Sequence, residues 1–301
     1  MKDMIKIAMS LTVVCVAAAL ILGAVFAKTD HARKEIEEKE RAETIEGLLG
    51  FGHGKVPSDL KIYPIYRYVI RDDKGTLLLG YLLPLKDKGQ VLATIDLEGK
   101  PVQVIPVQGE PGQLAERAIR DKAIEAALPK GSQATYAETL NVAMLGDKRL
   151  GYVIPGVTQG FKTFIKLMVS MNPDLTVTGV AITESEEDPG LGAEIQQNYF
   201  RNQFIGKTRQ MLPELKVVKE PLPADYLPVL EPDRGKKMGL TPEQIKEIRE
   251  KHLKDDIYAL TGATISSVAV TRGVKDTVRK FAYRLGILND AIKQEKIQVA
   301  F

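Results

Sequence analysis

Leu260-Thr261-Gly262-Ala263-Thr264-Ile265-Ser266-Ser267 is the stretch on which the reading of this chain turns. Two small residues stand between hydroxyls. Val270, Val274, Val278 and Phe281 then recur every three or four positions, the spacing of a helix face packed on an apolar layer. The pattern predicts a terminal helix that begins at or near Thr264. The unpaired backbone N–H groups and positive dipole end of such a helix suit a phosphate. Gly262 lets the backbone approach it, Ala263 leaves room, and Ser266 and Ser267 are candidates to donate hydrogen bonds to its oxygens. The same residues also serve as a plain N-cap, and the stretch alone does not separate the two readings. A threonine hydroxyl is a poor nucleophile without a base beside it. No Ser–His–Asp set is near, so no catalytic residue is expected, and Thr264 reads as an acceptor.

A second segment bears on the choice. Glu187-Asp188-Pro189-Gly190-Leu191-Gly192-Ala193-Glu194-Ile195 comes earlier in the chain, followed by the aromatic-rich Phe200-Arg201-Asn202-Gln203-Phe204-Ile205-Gly206-Lys207. Pro-Gly-Leu-Gly is a stiff and then permissive turn, suited to joining a strand to a helix. Taken in order, an acidic Pro-Gly-Leu-Gly, a Gln-Phe-x-Gly-Lys and a Thr-Gly-Ala-Thr before a helix resemble the FMN-binding domain of the Rnf electron-transport complex G subunit. Its sister is the C subunit of the Na+-translocating NADH:quinone oxidoreductase. The resemblance covers about residues 139–285.

The resemblance implies an α+β fold, an antiparallel sheet with packed helices, standing outside the cytoplasm behind an N-terminal transmembrane helix. It implies FMN bound covalently as a phosphoester on Thr264, with Thr261, Gly262, Ala263, Ser266 and Ser267 around the phosphate. It places Glu187, Asp188, Gly190, Leu191 and Gly192 against the flavin ring, with Leu191 packing on the isoalloxazine. A flavin transferase would mature the protein, and other subunits of a membrane electron-transport complex would be its partners. Three departures stand out. Tyr258 occupies a position where the family has Asp and which its flavin transferase reads, with Asp255 and Asp256 nearby but out of register. Ser185 replaces a common His, and the stretch between Gly206 and Tyr258 is longer than usual.

Composition excludes several other classes. The 301 residues carry a net charge of +3, too balanced to imply nucleic acid. Cys15 is the single cysteine, so an intramolecular disulfide is impossible and no multi-cysteine metal site exists. His31, His53 and His252 lack ligand spacing and read as surface histidines, so no metal centre is expected.

Residues 7–27 are apolar except for Ser10, Thr12 and Gly23, with Lys2 and Lys6 before them and Lys28 after. About twenty such residues span a bilayer. A cleaved signal peptide is the alternative, but its apolar core is usually ~7–15 residues, so an uncleaved anchor is expected. Val14 is too large for a lipobox before Cys15. The flanking charges leave topology open, and long domains translocate largely regardless of charge. The resemblance implies a cytoplasmic N-terminus.

The chain then divides into an anchor (1–28), a juxtamembrane helix and linker (29–56), a strand-rich region with a helix (57–135) and the FMN-binding domain (136–301). That domain contains a Pro-rich insertion at 211–254. Dense mixed charge after residue 29 reads as a solvated helix capped by Thr29 or Asp30. Gly50-Phe51-Gly52-His53-Gly54-Lys55 lacks the spacing of a phosphate loop and reads as a turn. Strands around Tyr66–Ile70, Thr76–Leu83 and Gln90–Ile95 are separated by turns at Asp72–Gly75 and Lys86–Gly89. A helix follows over 113–128, then more strands over 138–183. Gly80-Tyr81-Leu82-Leu83-Pro84 parallels Gly151-Tyr152-Val153-Ile154-Pro155, which suggests a degenerate repeat or a chance likeness of two hairpins. Residues 211–240 read as irregular, and Thr241-Pro242-Glu243-Gln244 as a capping box opening a charged helix.

Three functions fit. The first is an electron-transfer subunit of an Rnf-type complex with no independent catalytic activity. The second is its quinone-oxidoreductase counterpart or another respiratory flavodomain. The third is a binding or assembly module that has lost the flavin, which Tyr258 in place of Asp would favour.

Overall fold

The computed structural model describes residues 2–52, 56–87 and 89–301. His53 and part of the expected turn at 50–55 lie outside the described residues, as do Lys88 of the second hairpin turn and the side chain of His31. The described chain divides into two compact units, the residues up to Gly47 and Leu48–Phe301.

The first unit is helical, and its helix α1 runs Lys2–Leu48 without a break. An eighteen-residue window in it has a mean hydropathy of 2.5, long and apolar enough to cross a membrane. The expected cap at Thr29 is absent. No proline interrupts the segment, and the Thr29 hydroxyl instead donates back to the carbonyls of Val25 (2.8 Å) and Phe26 (3.1 Å), which satisfies it inside the helix.

The second unit is built on one antiparallel sheet. Its strands are β1 (Leu60–Arg71), β2 (Leu77–Pro84), β3 (Gln90–Ile95), β4 (Pro101–Val107), β5 (Gln133–Leu145), β6 (Lys148–Gln159), β7 (Phe164–Met171) and β8 (Val177–Glu184). Their spatial order is β4-β3-β2-β1-β5-β6-β7-β8, so two four-stranded meanders join edge to edge through β1 and β5. The fold is therefore the α+β class with an antiparallel sheet that the sequence implied.

Side-chain alternation explains the layers. Tyr81, Leu83, Val91, Ala93, Tyr152 and Ile154 face one core together with Val270, Val274, Val278 and Phe281 of α8 (Thr264–Gln294). The alternate residues Leu82 and Leu92 face a second core with Tyr68 and Ile105, covered by α2 (Pro111–Ala115) and α3 (Arg117–Ala127). Residues 113–128 are thus two helices and not one. At the break, the buried Arg120 guanidinium donates to the carbonyls of Leu114 (2.9 Å) and Ala115 (2.8 Å), groups that a continuing helix would have used.

Between β8 and α8 the chain makes a long excursion. It holds α4 (Asn198–Arg201), β9 (Val217–Val218), α5 (Leu227–Leu230), α6 (Pro232–Lys237), α7 (Pro242–Lys251) and β10 (Ile257–Tyr258). The capping box at Thr241 and Gln244 forms in full. Residues 211–240 are more ordered than their prolines suggest. Val217 and Val218 pair in parallel with Ile257 and Tyr258, a long-range contact that no local propensity reveals.

Candidate functional site

Helix α8 opens at Thr264, and its N-cap, Ala263, offers no side chain to cap it. A 31-residue helix therefore begins with a bare positive end. Gly262 turns the chain into it with φ of 77°. A side chain at 262 would also meet Leu191 Cδ2 at 2.9 Å. The structure thus brings Pro-Gly-Leu-Gly and Thr-Gly-Ala-Thr together: Leu191 lies against Gly262 while remaining 47% exposed.

The hydroxyls divide sharply. Thr261 is exposed and Thr264 half-buried. Ser266 and Ser267, expected beside a phosphate, are turned inward. Ser267 Oγ donates to Ala263 O (3.0 Å) and accepts from Leu260 N (3.0 Å), and Ser266 Oγ donates to Glu187. Both serines lie on the buried face of the first helical turn.

Glu187 is also redirected. Expected near a flavin edge, it is buried, and one carboxylate oxygen accepts from the backbone N–H groups of Phe161 (2.9 Å) and Lys162 (3.1 Å). The other takes the Ser266 hydroxyl. It bolts the β6–β7 turn to α8. Gly192 is required here because a Cβ would stand 2.8 Å from Glu187 Oε2 and 2.9 Å from Ser266 Oγ. Asp188 pairs with Lys162, whose ammonium it holds above the ordinary lysine range. The Asp188 carbonyl accepts from Leu191 (3.1 Å) and Ala193 (3.0 Å), closing the turn around Gly190.

Gln203 and Lys207 explain the Gln-Phe-x-Gly-Lys segment, to which no role was assigned from sequence. Gln203 acts as a substitute strand: its amide accepts from Tyr258 N (2.8 Å) and donates to Tyr258 O (3.3 Å). Buried Lys207 donates to the carbonyls of Leu253 (2.7 Å) and Asp255 (2.5 Å), and burial lowers its pKa. Together they fix the strand that leads into Thr261. Phe200 and Phe204 fill the core beneath, edge to face at 5.9 Å.

Tyr258 stands on β10, and its hydroxyl donates to Asp255 Oδ2 at 2.9 Å. Burial and that bond raise its pKa to about 12. His252 is not the surface residue its isolation suggested. It is buried, with Nδ1 2.6 Å from Asp255 and Nε2 3.2 Å from Asp225, and Tyr226 stacks on it at 4.5 Å.

A cavity of about 800 Å³ opens beside the helix start. Gly190, Thr261, Gly262 and Thr264 line one side, and Tyr199 and Tyr258 stand within its wall. The remaining side belongs to the insertion, including Lys219, Leu222, Glu231 and Arg234. Sequence reasoning missed this side, since a Pro-rich stretch carries no motif that points to a wall. Among the described residues, no group of three or more His, Cys, Asp or Glu could hold a metal ion.

Residues 160–279 match the FMN-binding domain family. The chain is similar to the G subunit of the proton-translocating ferredoxin:NAD(+) oxidoreductase complex of Clostridium ljungdahlii, with 33% identity covering 46% of this chain and 57% of that protein. It is also similar to the C subunit of the Na(+)-translocating NADH-quinone reductase of Neisseria meningitidis, 26% identical over 65% of this chain and 70% of that one. Among solved structures, NqrC of Shewanella oneidensis aligns with a TM-score of 0.41 and 14% identity over 79% of this chain and 90% of that one. The chain spans about half the length of the G-subunit relatives it matches. Residues 160–279 carry the likeness to the FMN-binding domain family.

Proposed function

We propose that this chain is a membrane-anchored flavoprotein electron-transfer subunit of an Rnf-type ion-translocating oxidoreductase complex, carrying FMN as a phosphoester on Thr264. One observation carries the reading. Of the hydroxyls in residues 261–267, Thr264 lies both at an uncapped helix start and on the cavity, while the serines are committed inside. The helix end would neutralise the phosphate, and Thr261 and the Gly262 backbone would flank it. Bound FMN would supply the electron-carrying chemistry; the protein would hold, orient and shield it. Ser266 and Ser267 keep a positioning role, holding the first turn of α8 in place.

The apolar part of α1 would anchor the chain, with a cytoplasmic N-terminus and the sheet unit on the other side of the membrane. Covalent attachment suits that side, where lost FMN is not easily replaced. Partner subunits of the complex would deliver and remove electrons, and a flavin transferase would load Thr264. A second reading, membership of a quinone-reductase complex, draws on the longer similarity to the Neisseria protein. Tyr258 in the acidic position supports a third, a flavin-free module, although its hydroxyl does contact the carboxylate of Asp255.

The test is direct. Expressed beside a flavin transferase, the protein should give a fluorescent band on a denaturing gel, and Thr264→Ala should abolish it. A fluorescent Thr264→Ala protein would rule out this attachment site. The co-purifying subunits would distinguish the two complexes. Replacing Leu20 and Ile21 by Asp should release the protein from membranes, since each charge at mid-bilayer costs roughly 2.5–3.5 kcal/mol. A mature wild-type chain beginning at Lys28 would overturn the anchor.

A further inference from the structure

We propose that the insertion between Gly206 and Tyr258 supplies the wall that receives the flavin ring, so that the ring sits inside the cavity and not on exposed Leu191. The inference rests on the reading of Thr264 as the attachment point and goes beyond it, to where the ring lies and which residues meet it.

Reach comes first. Thr261 and Thr264 line the same cavity as Lys219, Leu222 and Arg234, so a group tethered at the helix start borders the insertion directly. Leu191 is not among the lining residues; it lies against Gly262 and stays 47% exposed. Size is the second point. About 800 Å³ falls within the ~300–1,000 Å³ typical of small-molecule sites.

Chemistry is the third. Tyr199 and Tyr258 offer aromatic surface and also pack on the insertion's own small core of Tyr226, Val229 and Leu230. Leu222 and Leu227 add apolar surface, and Lys219 and Arg234 stand among the carboxylates of Glu194, Glu220 and Glu231, with Arg234 3.7 Å from Glu231, so apolar and aromatic surface and not net charge suits the wall to a ring. Tyr199 is held by its bond to Glu194 (3.1 Å), so its ring is fixed before any ligand arrives.

The wall is also rigid. Ala259 N donates to Val218 O (2.8 Å) and Ile257 N to Lys216 O (2.9 Å), which sews the insertion to the strand entering Thr261. Lys251 holds Asp225 at 2.6 Å, and His252 lies between Asp225 and Asp255. Asn202 donates to Leu230 O (2.6 Å), and Lys275 of α8 to Pro213 O and Leu215 O (2.9 Å each). A loose Pro-rich loop would need no such fastening, whereas a wall that must keep its distance from a ring does.

The experiment uses the full-length flavinylated protein and reads iodide quenching of flavin emission. Leu222→Ser should raise iodide access several-fold, exposed Lys219→Glu should lower it because the new carboxylate repels the anion, and Leu191→Ala should change it little. Tyr258→Phe keeps the ring but removes the phenol, a contact quencher of flavin emission, so the emission should brighten. Iodide access raised by Leu191→Ala and untouched by the insertion variants would overturn the proposal. Lys219→Glu, at an exposed position, keeps the test alive if Leu222→Ser fails to fold. If the denatured wild-type band carries no flavin, the Thr264 reading fails on its own. Free FMN added to the same variants then decides the cavity. Affinity lowered several-fold by Lys219→Glu and not by Leu191→Ala supports the wall. Binding indifferent to both, or no binding, overturns it.

Discussion

The two four-stranded halves of the sheet start alike and end differently. Tyr81 on β2 and Tyr152 on β6 follow a glycine, face the same core and are both buried. Each half then leaves the sheet, and one buried charge bolts the departing chain. In the first half Arg120 ties the end of α2 to the Tyr68 hydroxyl of β1 at 3.0 Å. In the second, Glu187 ties the β6–β7 turn to α8. Arg120 closes a short connection onto a plain core. Glu187 closes one edge of a long excursion, and the candidate site lies in that excursion. Sheet architecture therefore does not make the site; the excursion and its fastening do.

The glycines test how alike the halves are. A Cβ on Gly151 would stand 2.0 Å from the Met171 carbonyl oxygen, which is backbone and cannot yield. On Gly80 it would meet Ile70 Cδ1 at 2.6 Å, the far end of a side chain that can rotate. Gly151→Ala should cost about 3 kcal/mol, the upper end of overpacking, and Gly80→Ala about 1 kcal/mol. Urea melts of both variants measure the difference. Equal costs would show that β6 relaxes as easily as β2 and would remove this asymmetry.

The bolts come next in size. Arg120→Met and Glu187→Gln should each lower stability by about 2 kcal/mol, since hydrogen bonds to buried charges are worth ~1.5–3 kcal/mol. Their local effects should differ. Glu187→Gln should speed hydrogen exchange at the Phe161 and Lys162 amides, which lose a carboxylate partner. Arg120→Met should leave those amides protected and loosen α2 and α3. Faster exchange at 161 and 162 in both variants would mean that the halves share one cooperative unit, not two separately bolted ones.

What could be read from sequence follows the same division. Strands and the terminal helix were legible because periodicity and turn chemistry are local, whereas the meeting of Pro-Gly-Leu-Gly with Thr-Gly-Ala-Thr was implied only by the family resemblance. The roles of Glu187 and Ser266 were not. A carboxylate beside a Pro-Gly turn and a serine after a threonine look like ligands until the fold shows them 79 positions apart and bonded to each other. His252 looked exposed because only the fold buries it under Tyr226 and brings Asp225, 27 residues away, to its second nitrogen, Asp255 three residues on holding the first. Gln203 and Lys207 stood in a recognisable segment, but their backbone partners are set by tertiary contact alone. The insertion's pairing with β10 depends on two residues on each side, too short a run to show in any pattern.

The smallest effect separates the fastenings by acid. Arg120 donates to two backbone carbonyls and the Tyr68 hydroxyl, none of which takes up a proton in acid, so the first bolt should not weaken as pH falls. The insertion depends on Asp225, whose pKa is pulled down to about 2 by hydrogen bonds from Lys251 and His252. An unfolded aspartate titrates near ~3.9, so the folded state holds the proton less tightly and gains stability above that value. The gain should fade as pH falls from about 4 toward 2, where both states become protonated. Because Asp225 is largely exposed, solvent screens the pair and the shift in thermal midpoint should be modest. Asp225→Asn should therefore melt earlier than wild type at neutral pH, and the gap should close on approaching pH 2. Amides of the insertion-paired strand, Ile257 and Ala259, should lose protection in acid before those of α3. A gap that persists unchanged at pH 2 would mean that Asp225 acts through packing and not charge. The acid-sensitive fastening would then have to lie elsewhere in the excursion.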